Sequence, residues 1–228
     1  MPQRRTSISH DTPPPGSDPQ HPTAELLLWA YSHAIFPMVD PDRDEIEWFH
    51  PDPRGIIPLQ PAEAFHVPRN LAREMRKGRF TIRSDSAFRT VMQACATARS
   101  LDNRSWMNPR LLMPYLELFE RGHAHSIEAW LGDDLVGGLY GVHIGGAFFG
   151  ESMFSRPESG GSNSSKVCLV HLVSWLRKRG FLLLDTQFSN EHLNQFGCVE
   201  IPARKYHAVL AKAVNIQAEW GHFSPDAS

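Results

Sequence analysis

HSIEAWLGDDLVGGLYGVHIGGAFFGES, residues 125–152, reads as three antiparallel strands. Gly-Asp-Asp at 132–134 and Gly-Gly at 145–146 supply the turns between three apolar, β-prone runs. Downstream, residues 165–178 form a helix pattern, largely apolar between Val167 and Leu176, which belongs in a core. FLLLDTQF, residues 181–188, is a continuous apolar run of strand length ending in polar atoms, and two short helices follow around Glu191 and Arg204. Upstream, a helix opens near Pro68 and stops at Gly78, a short strand runs from Arg79 to Arg83, and helical patterns cover 86–100 and 109–121. Strands followed by a core helix, a further strand and more helices define an α+β (mixed α/β) domain around a central, mostly antiparallel sheet.

Four units are expected along the chain. Residues 1–22 carry six prolines and little that could fill a core, so a disordered tail is expected there. Residues 23–60 form a small amino-terminal domain, whose helix starts after an N-cap at Thr23 and runs toward Pro37, with a short strand at EIEWF. Residues 61–216 form the larger domain, and 217–228 a carboxy-terminal tail.

Composition narrows the function classes. Hydrophobic residues make up 41% and charged residues 21% of 228, an ordinary globular balance. No run approaches the roughly 18 apolar residues of a membrane span, and the amino end lacks the apolar core of a secretory signal. A cytoplasmic address is expected. Three cysteines at wide spacing, Cys95, Cys168 and Cys198, favour neither a disulfide framework nor a zinc cage. With a formal charge of −2, nucleic-acid binding has to rest on a local patch.

One such patch exists. Arg69, Arg73, Arg76, Lys77, Arg79 and Arg83 fall within fifteen positions against a single acid, Glu74. Helical spacing gathers the first four on one face, either a solvated surface or a phosphate-binding stripe. At the end of the 181–188 strand, Asp185 and Gln187 stand two residues apart and so share a face, as a structural hydrogen-bonding pair or as chemistry. Glu151 follows the apolar Ala147-Phe148-Phe149, where a carboxylate is structural or receives an amine. His123 and His125 have strand-type ligand spacing but no third ligand nearby, which favours packing over metal. The Gly/Ser-rich 156–166 stretch lacks the order of a phosphate-cradling loop and reads as a mobile connection. Trp106, Phe148 and Phe149 are able to stack on a base or line a pocket, or to serve as core.

Together, LLLWAYSHAIFP, WFHPDPRGIIPL, the SW at 105–106, the run from Gly122 to Arg156, the SSK at 164–166 and LLDTQFSNEHLNQFGCVEIPARKY resemble the leucyl/phenylalanyl-tRNA-protein transferase family. The resemblance covers about residues 23–213. It implies a small amino-terminal domain joined to a domain folded like the GNAT-type N-acetyltransferases. It implies transfer of Leu or Phe, and by pocket size Met, from aminoacyl-tRNA to proteins beginning with Arg or Lys, marking them for N-end rule degradation. No metal, acyl-CoA or other cofactor is implied, and a monomer is expected.

Carried over position by position, the resemblance implies catalytic roles for Asp185, Gln187 and Glu151; Asp185 is expected to orient and polarise Gln187 to hold the amine, with the proton passing to Asp185, water or the adenosine ribose. Trp106 corresponds to a contact with the terminal adenosine, Phe148 to a wall of the aminoacyl pocket, and Asn190 to a neighbour of the reacting carbonyl. Met38 stands where the family usually has Trp, and Leu172 and Leu176 stand at aromatic positions. The expected pocket, near Phe148, Leu172 and Leu176, therefore differs in shape, and stacking on adenosine is weaker. The basic stripe from Arg69 to Arg83 becomes the expected seat of the acceptor stem. Two other readings are an acetyl-CoA-dependent N-acetyltransferase, whose pyrophosphate-loop motif is missing, and a non-catalytic tRNA-binding relative.

Overall fold

The computed structural model describes residues 13–40, 42–98 and 109–225. Helix α1 spans Ala24–Ser32, and the Thr23 side chain accepts a hydrogen bond from Leu26 N, as expected of an N-cap. The helix stops before Pro37 because Ala34 adopts a left-handed φ of 65° and Ile35 N bonds back to Ala30 O at 2.8 Å. The chain then turns into β1 (Phe36–Asp40), which pairs antiparallel with β2 (Glu45–Phe49) as a two-stranded ribbon.

The large sheet holds seven strands among the described residues. These are β3 (Arg54–Ile57), β4 (Thr81–Ser84), β5 (Ala124–Leu131), β6 (Asp134–Ile144), β7 (Ala147–Ser155), β8 (Leu183–Gln187) and β9 (Val199–Ile201), in the order β4-β5-β6-β7-β8-β3-β9. Every pairing is antiparallel except β7 with β8. The three strands read from residues 125–152 are therefore present as β5, β6 and β7.

Helices cover both faces of the sheet, so β5 and β6 are buried along nearly their whole length rather than alternating. On one face, α1, α3 (Phe88–Ala98) and α4 (Pro109–Glu120) pack with Val142 and Phe149. On the other, α5 (Ser164–Lys178) packs with Ile127, Leu139 and Phe148. Gly137 makes that second layer possible: a Cβ there would lie 1.9 Å from Ser164 Oγ at the start of α5. Helices α2 (Arg69–Met75), α6 (Glu191–Asn194) and α7 (Ala203–Ala213) complete the set.

Several expectations are corrected. Strand β3 lies inside the large sheet between β8 and β9, although the sequence pattern assigns it to the amino-terminal unit. Residues 13–22 are not a free tail: Gln20 exchanges two side-chain hydrogen bonds with the Ile46 backbone, at 2.9 and 3.0 Å, and Trp48 Nε1 donates to Pro19 O. Residues 1–12 lie outside the described residues. The expected carboxy-terminal tail is anchored by Trp220, which is buried and stacks on His125 with ring centroids 4.2 Å apart. His125 also bonds Asp85, so its role is packing. The 156–166 stretch is a hydrogen-bonded turn up to Asn163, with Arg156 N on Val136 O and Gly161 N on Arg156 O, and its last three residues open α5.

Candidate active site

Strands β7 and β8 run side by side for only three residue pairs, ending at Phe149 with Asp185. Beyond that pair β7 continues against β6 alone while β8 turns away, and the sheet splits into a cleft of about 1030 Å³. Its apolar side is lined by Leu139, Met153, Leu169, Leu172, Leu184 and Leu193. Its polar side carries Glu151 and Gln187, and Pro37, Met38 and Val39 of β1 close it from the amino-terminal unit.

Glu151 sits at a bulge, where Gly141 pairs with Gly150 and Tyr140 with Ser152. Its carboxylate accepts hydrogen bonds from Tyr31 at 2.7 Å, Tyr115 at 3.1 Å and Gln187 Nε2 at 2.9 Å. The two tyrosine oxygens are 2.6 Å apart. Burial and the Glu151 charge push both phenols well above their ordinary pKa, so they act as donors.

Gln187 reaches Glu151 through an unusual backbone. Its φ is 64°, and Phe188 N bonds to Thr186 O at 2.6 Å, closing a three-residue γ-turn. Non-glycine residues in this region are strained and persist where surrounding structure holds them. Here Asp185 Oδ1 holds the Gln187 N–H at 2.7 Å, and Gly55 lets β3 approach, since a Cβ there would sit 2.6 Å from the Phe188 carbonyl carbon.

Asp185 is fully buried and turned away from the cleft. Arg54, itself 1% exposed, grips it with Nε at 3.0 Å and Nη2 at 2.6 Å, and the Tyr206 hydroxyl donates to it at 2.7 Å. The guanidinium lies between the rings of Phe36 and Tyr206, at 4.6 and 4.8 Å from their centroids, and donates to Ala34 O. Burial alone would lower its pKa, but the charge and hydrogen bonds of Asp185, together with the Tyr206 and Tyr31 hydroxyls, outweigh that and raise it. The expectation that Asp185 polarises the Gln187 amide is therefore corrected: it binds the Gln187 backbone, while the amide belongs to Glu151.

Other expected site residues divide. Met38, Leu172 and Asn190 line the cleft, and Asn190 Oδ1 caps α6 by accepting from Leu193 N at 2.9 Å. Phe148 does not line this cleft; it is buried on the α5 side, stacked 5.5 Å from Trp220. Leu176, one helical turn past Leu172, is core rather than pocket. Trp106 lies outside the described residues. Arg69, Arg73, Arg76, Lys77, Arg79 and Arg83 are all exposed. Helix α2 ends at Met75, however, so Arg76 caps it and Lys77 follows, paired with Glu74 at 2.7 Å. Arg79 donates to Gly160 O, and Arg83 lies over the Trp130 ring.

Sequence reasoning missed Arg54, Tyr206, Tyr31 and Tyr115. Arg54 stands in the quoted WFHPDPRGIIPL segment, but nothing in its neighbours announces a buried cation. Tyr31 and Tyr115 lie on helices, and Glu151 is 120 and 36 residues from them in the chain.

The sheet thus splits beside a carboxylate and an amide, with an apolar wall opposite. The sequence matches the leucyl/phenylalanyl-tRNA protein transferase model over residues 58–211 and its amino-terminal domain model over 21–52. The Salinibacter ruber leucyl/phenylalanyl-tRNA–protein transferase is 48% identical, covering 89% of this chain and 84% of that one. The Paramagnetospirillum magneticum protein of the same name is 49% identical, covering 90% of this chain and 94% of that one. The chain belongs to the leucyl/phenylalanyl-tRNA-protein transferase family, whose members are aminoacyltransferases. A solved aminoglycoside acetyltransferase from an uncultured soil sample overlays with a TM-score of 0.40 at 12% identity, over 66% of this chain and 98% of that one, too distant a likeness to bear on the assignment.

Proposed function

We propose that the cleft transfers leucyl or phenylalanyl groups from tRNA to the α-amine of proteins beginning with Arg or Lys, in the cytoplasm and as a monomer, marking them for N-end rule degradation. The observation that carries this reading is the Glu151–Gln187 pair at the mouth of the split sheet, with an apolar wall opposite. An aminoacyl ester is already activated, so the enzyme has to orient a free amine, take its proton and stabilise an oxyanion.

With Gln187 Nε2 committed to Glu151, Gln187 Oε1 is the acceptor that orients the incoming amine. Glu151 takes the proton as nitrogen attacks the ester carbonyl. Asn190, its oxygen engaged in the cap, offers Nδ2 to the developing oxyanion. The C–N bond forms, the ester C–O bond to the terminal ribose breaks, and Glu151 returns the proton to the ribose oxygen. Asp185, held by Arg54 and Tyr206, positions Gln187 through its backbone N–H without joining the proton transfer.

The apolar wall selects Leu, Phe and Met by size, with roughly 1–3 kcal/mol of discrimination per methylene. The exposed cations from Arg69 to Arg83 hold acceptor-stem phosphates without reading sequence. Transfer of labelled Leu, Phe, Met and Arg from their tRNAs to peptides starting with Arg, Lys, Asp or Glu tests the reading. Leu and Phe arriving on Arg and Lys support it; exclusive use of Asp or Glu acceptors, or no transfer, overturns it.

A further inference from the structure

We infer that His50 and His207 form a site for one divalent transition ion of the zinc or nickel type, joining the amino-terminal unit to α7. The two Nε2 atoms stand 2.8 Å apart although 157 residues separate them in the chain, and the rings are 5.0 Å apart. His50 follows β2 and is partly exposed; His207 lies on the exposed side of α7.

The pair is held in place independently of its own contact. Asp52, two residues past His50, accepts from the backbone N–H of Ala203 at 3.0 Å. Ala203 lies one helical turn before His207, so the loop is pinned to the same stretch of α7 at two points. Without an ion, the contact is an N–H···N hydrogen bond, with one Nε2 protonated and the other a lone pair. An ion between the rings needs both lone pairs, which a tautomer change at the donor ring supplies with no net loss of a proton.

Zinc binds imidazole nitrogen at about 2.0–2.1 Å, which sets two tetrahedral ligands about 3.4 Å apart. The rings therefore have to separate by about half an ångström, a small movement for side chains facing solvent. No group of three or more His, Cys, Asp or Glu side chains among the described residues is arranged to hold a metal. Water completes the sphere, which makes the site exchangeable rather than a closed structural cage. Of the fixed charges near His50, the Asp52 carboxylate favours a bound cation and the Arg54 guanidinium opposes it.

Occupancy ties down the part of the molecule that closes the cleft. The amino-terminal unit delivers Tyr31 to Glu151 and Met38 to the cleft wall, while α7 delivers Tyr206 to Asp185. An ion across the seam holds these two deliveries together.

Calorimetric titration of the full chain with zinc chloride, and separately with nickel chloride, tests the site in wild type, His50→Gln and His207→Gln. The expected result is one saturating equivalent in wild type, weakened at least about tenfold in each variant, and a zinc-dependent rise in Tm that both variants lose. Metal-free Tm and circular dichroism establish that the variants are folded, and His207→Gln, on an exposed helix face, carries the test by itself if His50→Gln is unstable. Absence of one-equivalent binding in wild type overturns the proposal, and so does binding that survives unchanged in folded His207→Gln.

Discussion

At Gln187 the chain accepts a strained backbone that aims one amide, and the strain is held by a buried carboxylate turned away from the cleft. Asp185 is saturated by Arg54, Tyr206 and the Gln187 N–H. Arg54→Met leaves that carboxylate buried and unpaired, and removing one partner of a buried pair costs about 3–5 kcal/mol; urea unfolding is expected to show a loss of this size. Tyr31→Phe removes a donor to Glu151 while keeping the ring packed on Phe149, 4.9 Å away. Hydrogen bonds to charged groups contribute about 1.5–3 kcal/mol to stability, so a loss of this order is expected in urea unfolding, and single-turnover transfer is expected to slow because Glu151 is held less firmly. Sequence made Asp185, Gln187 and Glu151 visible because polar residues ending apolar strands need an explanation. It did not reveal which carboxylate faces the cleft, because the γ-turn at Gln187 breaks the two-residue period on which that reading relied.

Elements with their own periodicity and turn chemistry were legible: β5 to β7 through their glycine turns, α5 through its apolar run, α1 through Thr23. Elements that owe their state to neighbours were not. Strand β3 lies between Pro53 and Pro58 and is four residues long, and it becomes a strand because β8 and β9 flank it. Strand β1 contains Pro37 and emerges only because α1 closes early at Ala34. The family resemblance assigns pocket positions to Leu176 and Phe148; in the structure they pack with the second helical layer and Trp220. The seating of α5 on the sheet depends on Gly137, where any side chain meets Ser164. Gly137→Ala is expected to cost about 1–3 kcal/mol through overpacking, or more if α5 lifts, and the denaturant midpoint in urea checks it.

Across the whole molecule, a chain with a formal charge of −2 presents its cations locally. Replacing Arg69, Arg73 and Arg76 together by Ala is expected to weaken tRNA binding and to flatten its logarithmic dependence on salt by about 0.7–0.9 for each phosphate that is no longer neutralised. The rate with saturating tRNA should stay the same. Binding isotherms at several salt concentrations check this, and an unchanged salt slope places the acceptor stem elsewhere. The cleft itself is an assembly of distant parts, with Tyr31 and Met38 from the amino-terminal unit, Tyr115 from α4, Glu151 from β7 and Gln187 from β8. That convergence is a property of the folded topology, which is why sequence period found its separate pieces but not how they meet.

Glu151, not Asp185, is the group proposed to receive the proton of the attacking amine, and the rest of the mechanism hangs on that assignment. Single-turnover transfer of Leu from tRNA to an Arg-initiated peptide, comparing wild type with Glu151→Gln, tests it most directly. A fall of about 10²–10⁴-fold is expected, with tRNA binding and Tm nearly unchanged; transfer within a few-fold of wild type would contradict it.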